Sequence, residues 1–135
     1  MKEDNRFIYD SKYSGKTEVE LSLAQYANNG RLYLVLSNYR DGDLEPFADV
    51  TVNIDAPVPD YCGYLDTNNL SKVEKFVTEN DLGEFTGIMG QSGYCQYPLY
   101  LFNVDKLREL FPSEMEVYER SIGVVREEPK QDRSR

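Results

Sequence analysis

The sequence predicts an α+β fold, an antiparallel meander sheet of about five or six strands with two or three short helices packed on it. Three observations carry this. Residues 17–23 and 47–54 alternate polar and apolar side chains, the period-two pattern of half-buried strands. Asn28-Asn29-Gly30 and Asp41-Gly42-Asp43 punctuate the first half of the chain at hairpin spacing. Helical spacing of apolar residues, with capping residues before it, begins only after residue 70, so strands come first and helices follow.

The elements follow in order. Residues 6–9 supply a short edge strand, and residues 17–23 the first clear alternating one. Asn29-Gly30 turns the chain because both residues tolerate positive φ, and residues 31–39 return as a more apolar strand. After Asp41-Gly42-Asp43, residues 47–54 close a three-stranded meander. Pro57 and Pro59 lack the N–H that pairing needs, and residues 61–65 resume as a strand. Ser71 with Glu74 forms a capping box ahead of a helix whose apolar stripe is Val73, Phe76 and Val77. Asn80 and Gly83 close it.

Glycine then recurs at 83, 87, 90 and 93, which reads as loop or irregular strand. Residues 97–102 form a strand in which Pro98 favours an edge or a strand start. Asn103 caps a helix over 104–110 that presents Val104, Leu107 and Leu110, and Pro112 ends it. Ser113 with Glu116 is a second capping box, and Met115 and Tyr118 dock a final helical turn. Residues 1–122 thus form a single domain, and residues 123–135, charged and without periodicity, a disordered tail.

Composition excludes several classes. No apolar run approaches the roughly 20 residues that span a bilayer, and Met1-Lys2-Glu3-Asp4-Asn5-Arg6 is too polar and acidic for a signal peptide. These place the protein in a bacterial-type cytoplasm, away from membranes. Two cysteines in that compartment are expected as reduced, buried thiols, with a Cys62–Cys95 disulfide as the less favoured alternative. The net charge is −9. Between Asp41 and Phe85 eleven acids face two bases, and acids and bases balance elsewhere. Such a surface repels phosphate backbones, which argues against direct nucleic-acid binding. It suits a basic protein surface, including one that ordinarily holds nucleic acid.

Catalytic constellations are missing from the residue list. Without histidine, neither a Cys-His nor a Ser-His pair can form within the chain. Cys62 and Cys95 sit beside tyrosines, with nothing to lower their pKa. Two cysteines fall short of a structural zinc site, and Asp41-Gly42-Asp43-Leu44-Glu45 lacks the spacing of a calcium loop. No metal and no cofactor is expected. Pairs such as Asp55 with Asp60 or Asp66 arise by chance among 24 acids. The glycines of residues 87–93 lack the Lys-Ser/Thr pair and the following helix of a phosphate loop.

The most distinctive segments are Tyr61-Cys62-Gly63-Tyr64 and Gly93-Tyr94-Cys95-Gln96-Tyr97-Pro98, which hold both cysteines and four of the eleven tyrosines. Alternate tyrosines either pack into the core with hydroxyls at its rim or form a recognition patch beside adaptable Ser, Gly, Asn and Gln neighbours. On the second reading the partner-binding residues are Asp60, Tyr61, Tyr64, Asp66, Asn68, Asn69, Asp81, Glu84, Gln91, Ser92, Tyr94 and Tyr97, with the acids steering encounter. The alternative is a small-ligand module or minor enzyme with a polar pocket between residues 66–69 and 91–94.

Pro46-Phe47-Ala48, Thr51-Val52-Asn53-Ile54, Asp66-Thr67-Asn68-Asn69, Gly83, Thr86-Gly87 and the run Gly90-Gln91-Ser92-Gly93-Tyr94-Cys95-Gln96-Tyr97-Pro98-Leu99-Tyr100 resemble a domain family of unknown function. Its members are small acidic proteins encoded on conjugative and other mobile elements of gut bacteria. The resemblance starts near Phe47 and brings no catalytic residue with it. It implies a genomic setting in which small acidic proteins serve transfer, regulation or evasion of restriction and CRISPR systems. The charged tail at 127–135 and an N-terminal extension depart from the compact pattern. The expected function is a non-enzymatic acidic protein that engages a basic, nucleic-acid-handling protein, as an inhibitor of the anti-CRISPR or anti-restriction type.

Overall fold

A computed structural model describes residues 5–11 and 15–124. The expected disordered tail falls almost wholly beyond residue 124, outside the described residues. Among the described residues the fold is α+β and antiparallel throughout, with eight strands in two sheets of four and three short helices. The first sheet runs in the order β1 (Arg6–Ser11), β2 (Gly15–Gln25), β3 (Leu32–Arg40), β4 (Asp43–Asp49). The second contains β5 (Thr51–Val52), β6 (Cys62–Leu65), β7 (Gly83–Ser92) and β8 (Cys95–Phe102), ordered β5-β6-β8-β7. The helices are α1 (Val73–Glu79), α2 (Val104–Leu110) and α3 (Pro112–Ser121).

Residues 47–54 read as one strand but serve two sheets, with the exchange at Val50. Its N–H donates to the Leu34 carbonyl at 2.9 Å, and its own carbonyl accepts the Asp66 N–H at 3.0 Å. Thr51 completes the crossing: its Oγ1 accepts the Leu34 N–H at 3.2 Å and lies 2.9 Å from the Tyr26 hydroxyl. The chain changes sheets with its backbone groups satisfied, as burial of Val50 and Thr51 requires.

The main core lies between the inner faces of the sheets. Tyr9, Val19, Leu21, Leu23, Leu32, Leu34 and Leu36 come from the first sheet, and Leu65, Tyr100 and Phe102 from the second. The helices insert Val73, Phe76, Val77, Leu107, Leu110, Met115 and Tyr118. A smaller core of Ile54, Cys62, Tyr64, Tyr97 and Leu99 forms where the 52–58 segment packs Val52, Ala56 and Val58 against the other face of the second sheet. Both cysteines are free thiols, Cys62 buried and Cys95 partly so.

Local corrections concern caps and glycines. At α1 the N-cap is Lys72 in the left-handed region, with no side-chain cap, so the Ser71–Glu74 capping box does not form. Tyr9 instead donates its hydroxyl to the Ser71 carbonyl. Pro112 opens α3 as its first residue, and no Ser113 cap forms. Asn103 caps α2 as expected, accepting the Lys106 N–H at 3.2 Å. The glycine-rich segment 83–92 is strand β7, and β8, with Pro98 in it, lies between β6 and β7. Pro98 is tolerated there because the β6–β8 ladder stops at Tyr64 opposite Leu99, and the next residue in register has no N–H to offer.

A candidate interaction surface on the β7–β8 hairpin

β7 is an outer strand of its sheet, and along it Glu84, Phe85, Thr86, Ile88 and Met89 are exposed. Leu101 of β8 adds apolar area. Asp81 and Glu84 stand at one end, beside a cleft of about 290 Å³ that Leu101 and Asn103 also line. At the hairpin tip Tyr94 is fully exposed, next to Gln91 and Ser92.

A bulge shapes this edge. Phe85 pairs with Tyr100 and Met89 with Pro98, so four steps on β7 answer two on β8. Gly87, at φ +90°, makes the kink possible. Thr86 locks it by donating its hydroxyl to the Leu99 carbonyl at 2.8 Å and accepting the Ile88 N–H at 3.1 Å. An edge kinked in this way resists addition of a flat strand. What it offers a partner is side chains. Phe85 is braced from below by the Tyr100 ring, 5.7 Å away between centroids, and Tyr100 donates its hydroxyl to Glu74 at 2.5 Å.

The residues picked out by sequence separate into two groups. Tyr64 and Tyr97 are buried in the smaller core and present no contact area. Tyr64 donates its hydroxyl to the Pro57 carbonyl at 2.8 Å. Tyr61 is half-buried at φ +67°, its N–H held by the Tyr118 hydroxyl at 2.9 Å and its own hydroxyl on Glu119 at 2.5 Å. Asp66 is buried and accepts from the Asn69 backbone N–H at 3.3 Å and from its amide at 3.1 Å. Gln91 donates to the Gly93 carbonyl at 3.2 Å. Asp66, Asn69 and Gln91 are thus engaged within their own segments, and the cleft beside Asp81 and Glu84 is lined by none of residues 66–69 and 91–94. Asp60, Asn68, Asn69, Asp81, Glu84, Gln91, Ser92 and Tyr94 remain exposed.

Phe85, Ile88 and Met89 escaped the sequence reading because the glycines around them masked the strand. The available signal was the alternation of bulky residues with glycine across 83–90. Among the described residues no three of Cys, Asp and Glu gather as metal ligands, and no helix is long and apolar enough to cross a membrane.

Burial, as the foremost cause, raises the phenols of Tyr9, Tyr26, Tyr33, Tyr61, Tyr97, Tyr100 and Tyr118 above their ordinary value, Tyr26 to about 12. A phenol with a raised folded-state pKa stabilises the fold below its unfolded pKa near 10, and that contribution is lost as pH climbs through the folded value. The melting temperature is therefore expected to fall between about pH 10 and 12, with the absorbance of these buried phenols as phenolates appearing in step with unfolding. Phenolate absorbance complete at about pH 10 in a folded protein would contradict this burial.

The chain belongs to the family described as "Domain of unknown function (DUF4313)", whose profile matches residues 20–122. No curated protein and no solved structure matches it.

Proposed function

We propose that this is a non-enzymatic protein-binding module whose working surface is the β7–β8 hairpin, with the apolar strip of β7 as the contact area. The observation that carries the reading is the exposure of Phe85, Ile88 and Met89 together on one edge strand, with Tyr94 at the tip. Contiguous exposed apolar area rimmed by polar residues marks interaction sites. Acids flank the strip at Asp81 and Glu84 in a chain of net charge −9, so the fitting partner is basic. The kinked edge favours docking on side chains over strand addition.

The resemblance to small acidic proteins of conjugative and mobile elements narrows the partner class. On that basis we place the protein in the bacterial cytoplasm, where it engages a basic, nucleic-acid-handling component of restriction or CRISPR defence and keeps it from its nucleic acid. An acidic surface competing for a cationic groove needs no catalysis, cofactor or metal.

The test is capture of host proteins on the intact chain, followed by affinity measurement on the captured partner. Ile88→Asp is expected to weaken binding at least tenfold and Tyr94→Ala by several-fold, with unfolding midpoints unchanged because both side chains are exposed. Asp81→Lys with Glu84→Lys is expected to slow association and to flatten its dependence on salt. Affinity indifferent to all four substitutions refutes the hairpin surface, and a partner with an acidic contact face refutes the charge argument.

A further inference from the structure

A second cleft, separate from the hairpin, lies between α1 and the β1–β2 pair and encloses about 600 Å³. Arg6, Lys16, Lys72 and Lys75 all line it, an unusual concentration of cations in a chain of net charge −9. Three carboxylates share the wall, and their ion pairs are loose: Arg6–Glu18 at 3.8 Å, Lys72–Asp10 at 3.8 Å and Lys75–Glu79 at 3.9 Å. These distances exceed a hydrogen bond and the groups are solvent-exposed, so Lys72 and Lys75 can turn to a better acceptor. Lys16 makes no ion pair among the described residues, because Asp10, opposite it in register, is turned to Lys72. Phe7, Ile8 and Phe76 form an apolar wall, with Phe7 set edge-on to Phe76 at 5.8 Å.

Lys72, on this wall, has an unusual backbone conformation. It stands at φ 63° and ψ 20°, a left-handed conformation that glycine adopts freely and lysine does not, and its side chain caps nothing. Its ammonium group stands at the cleft wall, 3.8 Å from Asp10.

We propose that this cleft binds a small phosphorylated molecule, with Lys16 and Lys72 on its phosphate oxygens and Phe7 and Ile8 against an apolar portion. The volume suits a ligand of nucleotide size. At physiological ionic strength the chain's distant acids are screened beyond about 8 Å, so the cleft's own charge governs there, four cations against three carboxylates.

Titration calorimetry of the full chain with inorganic pyrophosphate and with ATP tests the assignment. Saturable binding is expected for both, tighter for ATP. Lys16→Gln is expected to weaken it about tenfold, and Lys72→Gly likewise, while Lys106→Gln on α2, outside the cleft, leaves it unchanged. Lys72→Gly is also expected to melt about 3–5 °C above the wild type as the backbone strain is relieved. Absence of saturable binding, affinities unaltered by Lys16→Gln and Lys72→Gly, or a Lys72→Gly protein that melts no higher overturns the proposal. ATP bound no better than pyrophosphate removes the apolar contact. A short single-stranded oligonucleotide bound more tightly than ATP overturns the small-molecule assignment.

Discussion

Replacing Glu119 with alanine is expected to lower the unfolding free energy by about 3–5 kcal/mol, the cost of stranding a buried charge's partners. Glu119 is 1% exposed on α3 and joins three parts of the fold. Its carboxylate meets Arg108 of α2 at 2.5 Å and takes the Tyr61 hydroxyl at 2.5 Å, just ahead of β6. Neighbouring Tyr118 holds the Tyr61 N–H and packs edge-on to its ring at 5.8 Å. This network fixes Tyr61 in its left-handed conformation, and so fixes where β6 begins. Urea unfolding measures the loss. The double variant Arg108→Met, Glu119→Met should cost less than Glu119→Ala alone, because the two charges leave together. Tyr61→Phe, which removes one hydrogen bond to a charged acceptor, should cost about 1.5–3 kcal/mol. A Glu119→Ala loss under about 1 kcal/mol would place the pair in the class of surface ion pairs.

Nothing in the sequence announces that network. Arg108 and Glu119 lie eleven residues apart on different helices, and no local rule couples them; only the packing of α2 on α3 brings them together. Residues 17–23 and 31–39 were legible because one face of the first sheet is buried and the other wet, which writes a period of two into the chain. The second sheet was harder to read for the opposite reason. It buries residues on both faces, with Tyr100 and Phe102 toward the main core and Tyr64, Tyr97 and Leu99 toward the smaller one, so alternation fades. The same double burial decided the tyrosines. In Tyr94-Cys95-Gln96-Tyr97 one ring is fully exposed at a turn and the other sits inside. Composition cannot separate the two. The sheet exchange at Val50 was equally silent, since a strand that changes partners keeps its own alternation.

Gly90→Ala is expected to cost about 2–3 kcal/mol, although it adds a single methyl group and leaves the backbone in an allowed region. Gly90 lies opposite Tyr97 on the smaller-core face of the sheet, where the Tyr64 ring reaches over it. A Cβ there would stand 2.6 Å from Tyr64 Cζ and 2.9 Å from its hydroxyl oxygen. The ring cannot swing aside without breaking its bond to the Pro57 carbonyl and its packing on Ile54 and Leu99. Either Tyr64 leaves the core or β7 shifts on β8. Tyr64→Leu should therefore cost less in the Gly90→Ala background than in the wild type, with a coupling of about 1 kcal/mol or more. A Gly90→Ala protein as stable as the wild type would mean that β7 moves freely on its sheet. The contrast with Ile88→Asp is informative. Gly90→Ala disturbs the strand that carries the apolar strip and is expected to reduce stability and partner affinity together, whereas Ile88→Asp changes only the exposed side chain. Loss of binding in both, with loss of stability in the first alone, locates the contact on the outside of β7 and its support in the glycine beneath Tyr64.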